Sequence, residues 1–192
     1  FTPAWSPDGQ RLAVILGPAA ETTWGGPFSI GILPDATEPG FAREIWSPKV
    51  VGRETAAQTG VGSIAWEPTG DRVAAVIGLA GASGEPLEFS GWIFNVTGLQ
   101  GTEKHRVALD FPDQVDAVTE LGYSGDGLYL SATFRWMGTP EVRWYDASSG
   151  ALLNQRTGVT QVVWAPAGHR AILLASSGAA LVAAPDAVPE PL

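Results

Sequence analysis

The chain repeats one turn motif four times, and an internal repeat constrains a fold more than any other feature of a sequence. In each copy a strand-like run ends in a bulky aromatic residue, a turn rich in Pro, Gly or Asp follows, and a second apolar run begins. Pro presets φ and Gly accepts positive φ, so each motif predicts a type I turn that closes a β-hairpin through a bulge. The copies are Trp5-Ser-Pro-Asp-Gly9, Trp66-Glu-Pro-Thr-Gly70, Tyr123-Ser-Gly-Asp-Gly127 and Trp164-Ala-Pro-Ala-Gly168.

Further strands are predicted after each hairpin. Short apolar runs predict a third strand in all four units and a fourth strand in the first three. The chain contains 24 Gly and 15 Pro, and no segment keeps a helical period over a dozen residues. The sequence therefore predicts an all-β fold of four antiparallel sheets.

The repeat also predicts the domain organisation. We expect one repeat domain over residues 1–184, with units at 1–60, 61–116, 117–158 and 159–184. The prolines of 185–192 predict a tail or linker without a strand. The repeat aromatics lie 61, 57 and 41 residues apart, so the first two units are expected to carry long loops, at 47–60 and 78–88.

The pattern Trp-Ser-Pro-Asp-Gly-x-x-Leu-Ala of residues 5–13, with looser copies at 66–74, 123–131 and 164–172, resembles the repeat of TolB-type, WD-like β-propellers. This resemblance implies about four blades packed around a common axis. Propellers generally close with four to eight blades, so it also implies part of a larger propeller, with another protein or the missing blades as partner. The family includes periplasmic proteins that bind partners, which implies a periplasmic or secreted location. Similar blades form the propeller of prolyl-oligopeptidase-like enzymes.

Composition excludes several classes of function. Twenty acidic against eleven basic residues give a net charge of −9, and binding to phosphate needs a basic patch, so no nucleic-acid partner is expected. The absence of cysteine excludes disulfides, thiolate metal sites and cysteine catalysis. No run of eighteen apolar residues occurs, so no transmembrane segment is expected.

A search for catalytic patterns favours structural explanations. The nearest match to a serine-hydrolase elbow, Gly122-Tyr-Ser-Gly-Asp126, lacks the final Gly and falls in a repeat turn. The two histidines, His105 and His169, have no metal-type spacing to each other or to a carboxylate. Asp110, Asp113 and Asp116 do not match a calcium loop and are interpreted as a solvated acidic loop. We therefore expect no enzymatic activity, no cofactor and no metal.

Two of the eight tryptophans predict a contact surface. Trp24 and Trp136 fall in connections from second to third strands, which in propellers lie on the same face as the loops between blades. Trp and Arg dominate interface energetics, so Arg53 and Arg135 are candidate helpers. The sequence favours a non-catalytic protein–protein interaction scaffold. The alternatives are a substrate-gating propeller of a peptidase whose catalytic domain lies outside this sequence, and a carbohydrate- or small-ligand-binding propeller.

Overall fold

A computed structural model describes residues 3–16, 29–33, 43–46, 60–80, 87–96, 106–112 and 115–192. These residues contain no helix, and their strands form four four-stranded antiparallel sheets in which spatial order follows chain order. The all-β, propeller-like prediction is confirmed. We call the sheets blades 1 to 4. Their strands are β1 Ala4–Trp5, β2 Leu12–Leu16, β3 Ser29–Leu33 and β4 Arg43–Trp46; β5 Gly60–Trp66, β6 Arg72–Ala80, β7 Leu87–Asn95 and β8 Arg106–Ala108; β9 Ala117–Tyr123, β10 Tyr129–Trp136, β11 Thr139–Asp146 and β12 Leu152–Thr157; β13 Val159–Trp164, β14 Ala171–Ala175, β15 Gly178–Val182 and β16 Glu190–Pro191.

The four repeat motifs form the predicted turns between the first two strands of each blade. Their closing glycines all have positive φ, between 69° and 81°. In every blade the N–H that follows the repeat aromatic donates to the carbonyl five residues later, as Ser124 N does to Tyr129 O at 2.9 Å. The Ser124 hydroxyl also accepts from Tyr129 N and donates to Asp126, so the Ser and Asp of the motif brace the turn from inside.

Two rows of side chains build the opposite faces of each blade. The front row consists of the repeat aromatic on the first strand and the residues paired with it on the second and third strands. The back row starts one residue before the aromatic and crosses the same three strands. Because successive side chains of a strand point to opposite faces of a sheet, the two rows lie on opposite faces of the blade. The front rows are Trp5, Leu12 and Leu33; Trp66, Val73 and Phe94; Tyr123, Leu130 and Tyr145; and Trp164, Ala171 and Val182. The back rows are Ala4, Ala13 and Ile32; Ala65, Ala74 and Ile93; Gly122, Ser131 and Trp144; and Val163, Ile172 and Leu181.

The core lies between blades, where the front row of one blade packs on the back row of the blade before it. Three hydrophobic clusters make these contacts, one between each pair of consecutive blades. Hydrogen bonds also orient neighbouring blades relative to each other. Trp66 Nε1 donates to Ala4 O at 2.7 Å, and Trp164 Nε1 donates to Ser131 Oγ at 2.9 Å. The repeat aromatics thus hold neighbouring sheets in a fixed relation.

Two sequence predictions need correction. The C-terminal segment is not free of strand, because Glu190 pairs with Leu181 and Pro191 with Ala180 as β16. The missing N–H of Pro191 costs no bond there, since Leu192 N donates to Ala179 O at 3.1 Å. The predicted loop over 78–88 is too long, because β6 and β7 pair as far as Ala80 and Leu87. The predicted loop at 47–60 lies outside the described residues apart from Gly60, which begins β5.

We expect Gly150→Ala to destabilise the protein more than Gly158→Ala. Both glycines have positive φ, 73° and 82°, so Ala costs about 1–2 kcal/mol of backbone strain at either site. A Cβ on Gly150 would also lie 2.2 Å from the carbonyl oxygen of Ala108 in blade 2, whereas a Cβ on Gly158 meets open space. Overpacking against backbone should add at least about 2 kcal/mol to the loss for Gly150→Ala.

Urea unfolding of the two variants measures this difference, with an unchanged m-value as the check that both unfold from the same folded state. Equal losses in the free energy of unfolding would show that the close approach of blades 2 and 3 at Gly150 does not constrain the fold.

Candidate functional site

The hairpin between β10 and β11 presents an exposed apolar tip. Trp136 is 42% exposed and Met137 is 84% exposed, and Arg135 beside them is also exposed. We call these three residues the hairpin tip. Most other large apolar side chains of blade 3 are buried. Exposing the apolar side chains of the tip to water is unfavourable, and such exposed apolar surface is typical of a contact site.

The exposed tip is formed by a tight turn that a hydrogen bond holds in place. Met137 and Gly138 both have positive φ, 49° and 77°, which is the geometry of a tight two-residue type I′ turn. A non-glycine residue at positive φ is uncommon and strained, and such strain concentrates at functional positions. Asp116 lies in the connection from blade 2 to blade 3, and its carboxylate accepts a hydrogen bond from Gly138 N at 2.7 Å, which holds the turn in place. The connection between blades and the hairpin tip therefore lie at the same end of the blade.

The structure places only part of the predicted contact surface. Arg135 and Trp136 are the last two residues of β10, so they are both at the hairpin tip but their side chains point to opposite faces of the blade. Met137, which the sequence analysis did not select, follows them in the turn. Trp24 and Arg53 lie outside the described residues, so their proximity to the tip stays a prediction. The place of Met137 in the turn could have been predicted from the sequence, because it precedes Gly138 between two strand-like runs, a pattern typical of a hairpin loop.

A polar pocket lies where the innermost strands of blades 2, 3 and 4 approach one another. Its volume is about 580 Å³, within the range of small-molecule sites. Most of its lining groups are hydroxyls, an amide and a carboxyl, and Leu121 N of blade 3 donates to Ser63 Oγ of blade 2 at 3.1 Å. We call it the axial pocket; its lining residues are Ser63, Ile64, Thr119, Glu120, Leu121, Thr160 and Gln161.

Among the described residues that line this pocket, Glu120 is the one with an ionisable side chain. Burial raises the pKa of the Glu120 carboxyl above its usual value, and a hydrogen bond with Gln161 offsets part of that rise. A carboxylate held in a partly desolvated pocket costs stability, and perturbed groups of this kind mark candidate binding sites.

The axial pocket has a signal in the sequence that the motif search missed. Counting back three residues from each repeat aromatic gives a polar side chain in all four units. These residues are Thr2, Ser63, Glu120 and Gln161, of which Thr2 lies outside the described residues. These polar positions indicate a shared pocket only when the first strands of the blades are known to lie close together.

Ser124, Asp126 and His169 form a hydrogen-bonded set at the turns of blades 3 and 4. His169 Nδ1 lies 2.7 Å from Asp126 Oδ2, and Ser124 Oγ donates to the other carboxylate oxygen at 2.6 Å. Burial opposes ionisation of Asp126, but the hydrogen bonds from Ser124 and His169 outweigh it and lower the pKa of that carboxyl. Because Asp126 lies between serine and histidine, the set lacks the serine–histidine contact of a nucleophilic triad and instead joins two turns.

The other candidate residues have local structural contacts. Asp110 N donates to Gly150 O at 3.1 Å and Asp116 caps the hairpin tip, while Asp113 and His105 lie outside the described residues. Within the described ranges, no group of three or more His, Asp or Glu side chains is placed to hold a metal ion. The same ranges contain no helix with the length and apolarity to cross a membrane.

Comparison with solved structures shows a β-propeller fold. TolB from Acinetobacter baumannii matches at a TM-score of 0.51 and 17% identity, over 100% of this chain and 43% of its own. The Dos1 propeller matches at 0.58 and 13%, over 98% and 46%. Hydrazine synthase from Kuenenia stuttgartiensis matches at 0.50 and 21%, over 89% and 42%. This chain thus spans less than half the length of each. No protein-family model and no curated protein matches the chain.

The resemblance to TolB-type propellers that the turn motifs carry is confirmed at the level of the fold. Identities of 13–21% do not extend the similarity to activity or partners. The matched proteins also include an enzyme, which illustrates that function must be argued from the sites.

We expect Glu120→Gln to stabilise the protein near neutral pH and to leave its stability unchanged in acid. Below the usual glutamate pKa of 4.5 the carboxyl is neutral in both the folded and the unfolded chain. As pH rises through the raised folded-state pKa, the wild-type protein must hold a charge in the axial pocket and loses stability, whereas the amide does not.

Thermal unfolding between acid and neutral pH measures the difference, with Glu190→Gln as the control for removing one charge from an acidic protein. A Glu120→Gln gain that persists unchanged at low pH, or that the control matches at neutral pH, would contradict the assignment of a desolvated carboxyl.

Proposed function

We propose that this β-propeller array is a non-catalytic scaffold that binds another protein through the hairpin tip. The observation that carries the proposal is the exposure of Trp136 and Met137 on a strained, braced turn. An extracytoplasmic location is part of the proposal and rests on the TolB-type resemblance of the repeat.

The chemistry of the tip fits a protein interface. Trp136 offers a large, rigid apolar surface with one N–H donor, and such residues dominate the binding energy of interfaces. Met137 adds a polarisable side chain that adapts to the shape of a partner. Arg135 can pair with a carboxylate at the rim of the contact. Because Asp116 accepts a hydrogen bond from Gly138 N, the backbone of the turn is held in place and loses less conformational entropy on binding.

A polar small ligand is the second candidate, favoured by the axial pocket. Hydroxyl, amide and carboxyl groups on three adjacent strands match the hydrogen-bonding groups of a sugar or another polyol. This site is separate from the hairpin tip, since the tip residues do not line it. The two candidates are therefore distinguishable by mutation.

We expect Trp136→Ala to weaken partner binding about 30-fold, the equivalent of about 2 kcal/mol for an interface hot spot. A partner captured from the native source would be purified, and its dissociation constant measured by titration calorimetry. Leu128→Ala is the matched control, because Leu128 is 55% exposed on the turn at the opposite end of the same blade. Equal affinity of Trp136→Ala and wild type, or equal weakening by Leu128→Ala, would exclude the hairpin tip.

We expect a ligand of the axial pocket to depend on Glu120 and not on Trp136. Neutral oligosaccharides titrated into the wild-type protein should release heat, which Glu120→Gln weakens and Trp136→Ala leaves unchanged. Sugar binding that is lost with Trp136→Ala would place the ligand at the hairpin tip, and no heat with wild type would exclude this candidate for the sugars tested.

A further inference from the structure

A second pocket lies between blades 3 and 4, near the hairpin that joins β14 to β15. Its volume is about 360 Å³, within the range of small-molecule sites, and it shares no lining residue with the axial pocket. We call it the interblade pocket. Its walls include Arg156 of blade 3 and Val159, Leu173, Ala175, Gly178 and Ala180 of blade 4.

Small residues of blade 4 create this pocket. Three positions on the front face of blade 3 carry large side chains that face blade 2, and the equivalent positions of blade 4 carry only Ala or Gly. Phe134 and Glu141 are at most 2% exposed, so blade 3 fills the space with its own side chains. By strand register the equivalent pairs are Phe134 and Ala175, Glu141 and Gly178, and Arg143 and Ala180.

The filled space between blades 2 and 3 shows which chemical groups suit this position. Glu141 accepts a hydrogen bond from Arg143 Nε at 2.9 Å, so a carboxylate and a guanidinium neutralise each other there. The guanidinium of Arg143 also lies 5.5 Å from the centre of the Phe134 ring. A guanidinium, a carboxylate and an apolar ring therefore occupy this space together.

Between blades 3 and 4 the guanidinium comes from Arg156, on the back face of blade 3. It lies 5.8 Å from the centre of the Trp144 ring, and its Nη2 donates to the carbonyl of Ala187, so the group is held in position. Among the described residues no carboxylate pairs with Arg156. Arg156 Nε and Trp144 Nε1 are both buried and have no acceptor within the same part of the chain.

The interblade pocket thus combines an unpaired cation with apolar walls. A half-buried guanidinium without a counterion is unfavourable, because burial removes water and the carbonyl of Ala187 compensates only part of the charge. Val159 and Leu173 form the buried apolar part of the wall. A ligand with an anionic group attached to an apolar group would neutralise the cation and cover the wall.

We propose that the interblade pocket binds an apolar carboxylate, whose carboxylate pairs with Arg156 and whose hydrocarbon group packs over Ala175 and Ala180. The ligand supplies the two groups that Glu141 and Phe134 supply between blades 2 and 3. Two sources share this chemistry, a free aromatic acid and the C-terminal residue of a peptide. The site is distinct from the hairpin tip, because no tip residue lines the pocket.

Titration calorimetry with hydrocinnamate, which joins a phenyl ring to a carboxylate, tests the proposal. We expect the amide of this acid to bind at least about tenfold more weakly, because it keeps the ring and loses the charge that pairs with the guanidinium. Arg156→Gln should weaken binding of the acid by a similar factor, and Arg156→Lys should retain part of the affinity. Arg170→Gln is the matched control and should bind as wild type, since Arg170 is exposed on blade 4 and does not line the pocket.

A variant that fills the pocket gives a second measurement. Ala175→Phe places on blade 4 the ring that blade 3 has at the equivalent position, so it should abolish binding without lowering the melting temperature. A tripeptide that ends in phenylalanine, with a free or an amidated C-terminus, distinguishes the sources. Binding of the free-ended peptide supports a peptide C-terminus, and binding of hydrocinnamate alone supports a small acid.

Three results would overturn the proposal. They are no binding of either the acid or the free-ended peptide, equal affinity for the acid and its amide, and unchanged affinity in a folded Arg156→Gln protein. The comparison of acid and amide uses the wild-type chain, so it decides the question even where a variant does not fold. Thermal unfolding of each variant shows whether it is folded.

Discussion

The structure depends on the packing of one aromatic side chain from each of blades 2, 3 and 4 onto the back row of the blade before it. Trp66 and Tyr123 are buried there and Trp164 is partly buried, and the two tryptophans add an indole hydrogen bond that fixes the angle between sheets. A single blade is a small sheet that cannot bury its own faces, so stability resides in the contacts between blades. The axial pocket is positioned by those contacts, since its lining residues come from the innermost strands of three blades.

The sequence predicted the part of the fold that local chemistry controls. The Pro and Gly residues of the four motifs determine the turns, and short apolar runs correctly predicted a third strand in every blade and a fourth strand in the first three. The prediction failed at 185–192, because the rule against Pro in strands does not apply where the outward-facing N–H of an edge strand has no acceptor. It also failed at 78–80 and 87–88, where pairing across the hairpin extends strands that Gly and Glu locally disfavour.

The candidate sites were less predictable, since they depend on residues that are distant in sequence. Trp136 was predicted to lie in the connection after the second strand, whereas it is the last residue of β10 and pairs with Thr139. The hydrogen bond from Gly138 to Asp116 depends on the path of the connection between blades, which no local pattern shows. Glu120 acquires its environment from Ser63 and Gln161 on neighbouring blades, which no local pattern reveals. The hairpin tip and the axial pocket are formed by different residues, so occupation of one leaves the other free.

The short outer strand β16 has a consequence for how the protein behaves at high concentration. Open sheet edges recruit extended peptides and nucleate cross-β aggregation. At blade 4 this edge is two residues long, and Pro191 has no amide hydrogen to offer an incoming backbone. Addition of a further strand at this edge is thereby disfavoured, so β16 and Pro191 protect the blade against fibrous growth through its outer edge.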